Sequence, residues 1–423
     1  MTENEAISYL ARAAKRGSRL GLERISELCR LLGEPQNTVP AVHIAGTNGK
    51  GSCGAMLSSI LTAAGYRTGW FSSPAITGIT DYFRIDGECI SGDGFASVMG
   101  DIVPVCESMD DKPTEFEVLT AAAFELFRRE KCDIMIIECG MGGDTDSTNV
   151  IASPVLSVIT NIRLDHSGFL GDTVEEIAVH KAGIIKPGVP VVFSGSDEAA
   201  ADTVEKRAEE CGSELIIPSA DALVSRAPEI SGIELRWLSG GSAVDIHIPL
   251  LGAYQRENAL ISLTAVEMLR KKGFDIPDSA VVSGMASVRW HGRFELLRTD
   301  PVVLYDGAHN PDGMKMAAAT LKSLFPGQRV AVVMGVMADK EYSLYTDILS
   351  GLAEKVFTVT PDNPRSLDCR ELAEVFRNAG INAQAYPVLS EGVRAAVGFA
   401  KESSCPLAIL GTLYMYGEVT AAM

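Results

Sequence analysis

Residues 43–52 read HIAGTNGKGS, an apolar run that enters Gly46, Gly49 and Gly51 and opens a helical stretch around Lys50 and Ser52. Glycines at such a turn let backbone N–H groups converge on an anion, the helix N-terminus adds positive potential, and a lysine supplies a point charge suited to β and γ phosphates. Ser52 offers a hydroxyl to Mg2+. Thr47, Asn48, Gly49, Lys50, Gly51 and Ser52 are therefore the candidate phosphate-binding residues. The match to G-x-x-x-x-G-K-[ST] is not literal, because Ile44 stands where the first glycine belongs and Gly51 separates Lys50 from Ser52. Glu138 ends the run CDIMIIECG (132–140), at the C-terminal end of a predicted buried strand, where parallel sheets bind their ligands. A carboxylate there either meets the metal or caps the turn into GMGGD. His166, in ITNIRLDH, follows another strand and is either a ligand or a satisfied structural histidine. Lys181, in VHKAGIIKPG, is equally open: lysines are normally solvated charges, and a bare ammonium beside Mg2+ would be repelled.

The elements that must position these groups follow from length and pattern. A chain of 423 residues predicts two or three domains, and 46% hydrophobic with 22% charged residues is ordinary globular composition. Thirty-seven Lys and Arg against 55 Asp and Glu leave a net charge of −18, which argues against a protein that coats nucleic acid or anionic membrane. Nine cysteines without a C-x-x-C pair read as reduced thiols of a cytoplasmic protein. The charged N-terminus has no apolar secretory core, and no stretch reaches the ~18 uninterrupted apolar residues of a membrane span.

From Val39 onward short apolar runs alternate with amphipathic helical stretches, the pattern of βαβ units. VPAVHIAG, CDIMIIECG, VLSVITNI and VPVVFSG are predicted strands; residues 212–250 predict a mixed or antiparallel edge of the same domain. After Trp290, VVLYDG, RVAVVMGV, KVFTVTP, AQAYPV and PLAILGTLYM alternate with four helical patterns, among them SLYTDILSGLAE. The expected architecture is α/β: a P-loop-containing parallel-sheet ATPase domain over 1–290, followed by a smaller Rossmann-like domain over 291–423.

Along nearly the whole chain the sequence resembles the folylpolyglutamate synthase and dihydrofolate synthase family, within the Mur-type ATP-dependent amide ligases. The blocks that carry the resemblance occur in order, from HIAGTNGKGS through SSP (72–74), TEFEVLTAAAF, IIECGMGGDTDSTNV, ITNIRLDH, VHKAGIIKPG, LLGAYQRENA, WHGRFE and YDGAHNPDG to GTLYMYGEV. The resemblance implies Ser52, Glu138 and His166 as Mg2+ ligands, with two metal sites, and Lys181 as a carbamate that turns the repelled ammonium into an anionic oxygen donor. It implies Asn258 on the adenine side, Arg293 on the ATP phosphates, Asp306 on the nucleotide, His309 and Thr412 near the incoming glutamate, and Ser73 and Asp146 facing substrate. Lys50, Lys181, His166 and Arg293 would then be the catalytic set. The implied substrates are ATP, L-glutamate and folate or dihydropteroate, joined by a monomer with no nucleic-acid or membrane partner.

Where the family usually has His after SSP this chain has Ala75, a Glu–Arg pair aligns with Asp81–Tyr82, the Arg of GGRLDATN is Asp144, and the Glu before Lys181 is His180. Three of these changes fall in segments that face the acceptor in the family, and two remove a cation that would meet an anionic tail. A Mur-like ligase acting on a different carboxylate is therefore the alternative. A P-loop switch without a small-molecule product is disfavoured, since it needs no second substrate domain.

Overall fold

The computed structural model describes residues 1–164, 170–195, 197–226 and 229–423. The chain forms two compact units, one built from 1–224, 236–246 and 257–288, the other from 225–235, 247–256 and 289–423.

The first unit centres on an eight-stranded sheet. Its strands are β1 (Ala41–Ala45), β2 (Thr68–Phe71), β3 (Phe83–Ile85), β4 (Glu88–Cys89), β5 (Ile134–Glu138), β6 (Leu156–Ile159), β7 (Val191–Phe193) and β8 (Leu215–Ile216), in the order β4-β3-β2-β5-β1-β6-β7-β8. The strands from β2 to β8 in that order run parallel, whereas β3 and β4 form an antiparallel edge. Strands β1 and β5 are buried at every residue because helices cover both faces, which is why they read as continuous apolar runs and not as alternating ones. The helix Glu115–Arg129 shows how local rules agree with the fold. Thr114 and Glu117 close a capping box at its start, Arg128 and Arg129 lie in its last turn, and its apolar face buries Phe124 and Phe127. These rings join Phe71, Phe83 and Phe95 in the core on one side of the sheet, each burial contributing roughly 1.5–3 kcal/mol.

Residues 212–250 depart from expectation. β8 is a parallel edge of the large sheet, whereas β9 (Leu223–Ser225), β10 (Ile233–Ser239) and β11 (Ser242–Ile248) form a separate three-stranded sheet. The reason is local: β10 alternates buried and exposed residues along its first six positions, the mark of a sheet with one wet face. Gly240 and Gly241 both take positive φ (57° and 82°), as a two-residue hairpin requires.

The second unit carries a six-stranded sheet of β12 (Glu295–Thr299), β13 (Val302–Asp306), β14 (Val330–Met334), β15 (Ala353–Val359), β16 (Ala383–Tyr386) and β17 (Leu407–Leu410), in the order β12-β13-β17-β14-β15-β16. The five predicted strands pair in parallel, and the unpredicted β12 is antiparallel to β13. Two segments end earlier than their patterns suggested. In SLYTDILSGLAE the helix stops at Leu349, because Gly351 turns with φ 74° and Ala353 already belongs to β15. In PLAILGTLYM the strand stops at Leu410, because Gly411 adopts φ 116° against the carbonyl of Gly335, where a Cβ would lie 2.2 Å from that oxygen.

The expected α/β class, with a P-loop parallel-sheet domain and a smaller doubly wound one, is the architecture observed. Among the described residues no helix is long and apolar enough to cross a membrane.

Candidate active site

β1 lies between β5 and β6, so the loop after it is framed by the C-terminal ends of both neighbours. At Gly46 the backbone turns with φ 149°, and a Cβ there would meet the Thr160 hydroxyl at 1.8 Å. The loop is then laced to the residues after β6. Thr47 N–H donates to the Asn161 carbonyl (2.8 Å), Asn48 N–H donates to Asn161 Oδ1 (2.8 Å), and the Thr160 hydroxyl donates to the Asn48 carbonyl (2.7 Å). Gly49 takes φ 91°, and a Cβ on it would stand 2.4 Å from Asn258 Oδ1, so the Asn258 side chain lies directly on the glycine. The helix Lys50–Ala63 begins there without a side-chain cap, the condition in which an N-terminus is open to an anion. Lys50 folds its ammonium back over the loop, donating to the carbonyls of Gly46 (3.1 Å) and Thr47 (3.3 Å). Ser52 is buried in the first turn.

Parallel register pairs Ile44 with Glu138, which brings the carboxylate to the mouth of the loop, 4.0 Å from Lys50 Nζ. Gly46, Thr47, Lys50, residues 139–142 and Lys181 line one cleft. Lys181 sits in the last turn of the helix Val174–Ala182 and is 4% exposed. Burying a lysine at a cleft already holding Lys50 is unfavourable unless anionic groups answer it. His166 lies outside the described residues. Among those described, no cluster of three or more His, Cys, Asp or Glu forms a metal site.

The cleft wall 139–142 is held by Asp146, which the resemblance sets facing substrate, together with Thr148 and His43, which the sequence did not mark as site residues. Asp146 accepts from Met141 N–H (2.8 Å) and from Thr148 N–H (3.0 Å) and hydroxyl (2.5 Å), while burial raises its carboxyl above the usual range. Thr148 Oγ1 lies 2.8 Å from His43 Nε2. Burial lowers the His43 imidazole to about 3, so the ring is neutral, and with the Thr148 proton directed at Asp146 its Nε2–H is the donor to the threonine. The signal available in the sequence was a histidine inside the apolar strand that leads into the glycine loop.

The segment after β2, which the resemblance sets facing the acceptor, is held by its own internal bonds. Ser73 precedes a cis proline and follows the end of β2. Asp81 is buried and accepts from the N–H groups of Ile76 (2.9 Å) and Thr77 (2.6 Å). Tyr82 stacks on Phe71 with centroids 6.0 Å apart. Arg84 is buried, bonded to the Ser72 hydroxyl (3.1 Å) and the Asp81 carbonyl, and lies over the Trp70 ring. These bonds hold the loop together.

Asp144 and His180, the two other departures, meet: Nδ1 of His180 donates to the Asp144 carboxylate at 2.9 Å, and the Asp144 N–H donates to the His180 carbonyl at 2.8 Å. The pair ties the cleft loop to the helix that carries Lys181. Asp144→Arg sets a cation against His180 and is expected to slow turnover about fivefold, roughly 1 kcal/mol. Adding His180→Glu should restore the rate to within twofold of wild type in steady-state assays. A double variant as slow as the single one would remove the pair from any positioning role.

In the second unit, Arg293 occupies a tight turn between Gly292 (φ 69°) and Phe294 (φ 49°), and its Nη1 would lie 3.1 Å from a Cβ placed on Gly307. Asp306 ends β13. His309 Nδ1–H donates to the Gly307 carbonyl (3.0 Å), which fixes the tautomer of that histidine when neutral. Thr412, after β17, accepts from Tyr414 N–H through its hydroxyl (3.2 Å). Two cations not singled out in the sequence stand on neighbouring loops: Lys340, after β14, is 3.9 Å from Asp339, and Arg365, after β15, is 3.9 Å from the same carboxylate and 3.4 Å from the Tyr414 hydroxyl.

Sequence families and solved structures agree with this fold. The Mur ligase middle domain matches residues 44–266, and the Mur ligase glutamate ligase domain matches residues 292–408, which makes the chain a Mur-type ligase. The chain is 34% identical to the dihydrofolate synthase/folylpolyglutamate synthase of Bacillus subtilis, over 98% of this chain and 97% of that one. It superimposes on the Mycobacterium tuberculosis folylpolyglutamate synthase complexed with ADP with TM-score 0.92 and 28% identity, covering 99% and 98% of the two chains. It also superimposes on E. coli FolC in complex with DHPP and ADP with TM-score 0.87 and 28% identity, covering 98% and 97%. The chain belongs to the folylpolyglutamate synthase/dihydrofolate synthase family, whose members are ATP-dependent glutamate ligases.

Proposed function

We propose that the protein joins L-glutamate to a folate-type carboxylate, dihydropteroate or a reduced folate polyglutamate, with ATP converted to ADP and phosphate. The observation that carries this reading is the cleft in which the glycine loop, Lys50 and Lys181 stand together, with Glu138 at its mouth. A carboxylate is a poor acyl donor in water. Its oxygen attacks the γ-phosphorus of ATP, ADP leaves, and the acyl phosphate then has a leaving group; the glutamate amine attacks the carbonyl, phosphate departs and the amide forms. Thr47 to Ser52 cradle the phosphates, Lys50 balances their charge, Asn258 orients the base and Arg293 reaches the transferred group.

The donor set fits Mg2+, a hard cation that takes oxygen ligands. Ser52, Glu138 and Lys181 as a carbamate would hold it, with His166 as a further ligand and a second metal site nearby, and bound there it would neutralise phosphoryl oxygens. Residues 1–290 serve as the ATP-binding domain and 291–423 as the glutamate domain; Asp306 serves the nucleotide, His309 and Thr412 serve glutamate, and Ser73 and Asp146 the acceptor side. The protein works as a monomer in the cytoplasm, without a nucleic-acid or membrane partner.

Glutamate is anionic, and Lys340 with Arg365 supplies charge at the C-terminal edge of the second sheet, the edge where doubly wound sheets bind ligands. Arg365→Ala is expected to raise the KM for glutamate about tenfold, leaving kcat at saturating glutamate within twofold. An unchanged KM would take Arg365 out of the amino-acid site.

ADP release measured with ATP, glutamate and a varied acceptor tests the whole reading. Turnover that requires both glutamate and a pterin acceptor supports it. Activity only with a non-pterin carboxylate would establish the Mur-like alternative, which the internally bonded Arg84 and the presence of Tyr82 favour. Hydrolysis indifferent to acceptor would overturn both.

A further inference from the structure

The chain passes from the second unit back to the first between Arg256 and Glu257. Two residues before that point the Tyr254 hydroxyl donates to Asp306 Oδ2 at 2.7 Å, and Ala253 N–H donates to the Thr320 hydroxyl at 3.0 Å. Gly252 makes the turn possible: at φ 113° a Cβ on it would lie 2.8 Å from the Tyr254 ring. The same Asp306 oxygen accepts from Phe294 N–H (2.9 Å), and Oδ1 accepts from Ala308 N–H (2.9 Å). Phe294 is a bulky residue in the left-handed region, a conformation that persists only where its surroundings over-determine it. Asp306 is that determinant, since it grips the Phe294 amide in the turn that presents Arg293. Burial pushes the Tyr254 phenol well above its ordinary range, so it remains a donor.

We propose that Tyr254 is a positioning residue for the reaction: through Asp306 its hydroxyl fixes the turn that carries Arg293. This rests on Arg293 serving the transferred phosphate. A buried carboxylate that loses one of its donors turns toward a neighbouring cation, here the Arg293 guanidinium, whose charge already bears on Asp306. That competing pair draws the arginine away from substrate. Asn258, four residues along the chain, belongs to the first unit, where its side chain lies on Gly49.

The test is a double-mutant cycle on the full chain. It is read as initial rates of ADP release with saturating glutamate and whichever of dihydropteroate or tetrahydrofolate wild type uses faster. Tyr254→Phe removes one oxygen without changing the ring, and is expected to lower kcat about tenfold while the KM for ATP moves less than threefold. In an Arg293→Ala background, Tyr254→Phe should change kcat less than twofold, because the group it positions is gone. A tenfold loss that persists in that background would overturn the proposal, as would a full wild-type kcat in Tyr254→Phe alone. Arg293→Ala at the wild-type rate would instead overturn the phosphate role of the arginine itself, a failure visible without touching Tyr254.

Discussion

Replacing Lys181 by alanine is expected to reduce glutamate-dependent ADP release by about 10³ or more, the scale of losing a preorganised charge at the reacting phosphates. The side chain is 4% exposed on the wall of the phosphate cleft, at the end of a helix whose capping box, Thr173 with Glu176, is untouched by the change. The fold should therefore persist, as circular dichroism would show. In the proposed carbamate the amine would add to CO2 with loss of a proton, forming an N–C bond and an oxygen donor of opposite charge to the ammonium it replaces. Short carboxylates such as acetate, supplied at millimolar concentration, should return part of the lost rate in Lys181→Ala. Wild-type turnover in the alanine variant would sink the carbamate role, and a variant that acetate fails to rescue would confine Lys181 to a positive charge.

For Lys50→Ala the expected loss is about 10²–10³ in kcat/KM for ATP, the range seen when one preorganised electrostatic contact is removed from a transition state. Its ammonium is held by two loop carbonyls at 3.1 and 3.3 Å and stands 4.0 Å from Glu138, within reach of a phosphate lying on the loop. Arginine should not substitute, because a planar fork cannot sit as a point charge over those carbonyls. Kinetics within threefold of wild type for Lys50→Ala would exclude it from phosphate binding.

What the sequence revealed and what it concealed divide along a physical line. Local chemistry was legible: three glycines, a lysine and a hydroxyl after a buried strand specify an anion cradle, and Glu138 at the next strand end follows from parallel register. Contacts between residues far apart in sequence were not. The hold of Thr160 and Asn161 on the loop spans more than 110 positions, and the His43–Thr148 bond joins residues 105 apart. The misreading of 212–250 has the same origin. Alternation identifies strands with one wet face, but not which sheet they join, and only pairing separates β8 from β9, β10 and β11. β12 was missed because Glu295–Thr299 lies at a sheet edge and is no more than partly buried, so no apolar run betrays it.

The central place of β1 has a consequence for how the molecule comes apart. Its backbone is hydrogen-bonded on both sides and its five residues are buried, whereas the two-residue strands β4 and β8 form the margins of the same sheet. Local opening draws on the margins first and reaches the middle strand only with loss of the whole sheet. The phosphate loop is thus rooted in the last structure to melt, and a chain with frayed edges still presents its binding site intact.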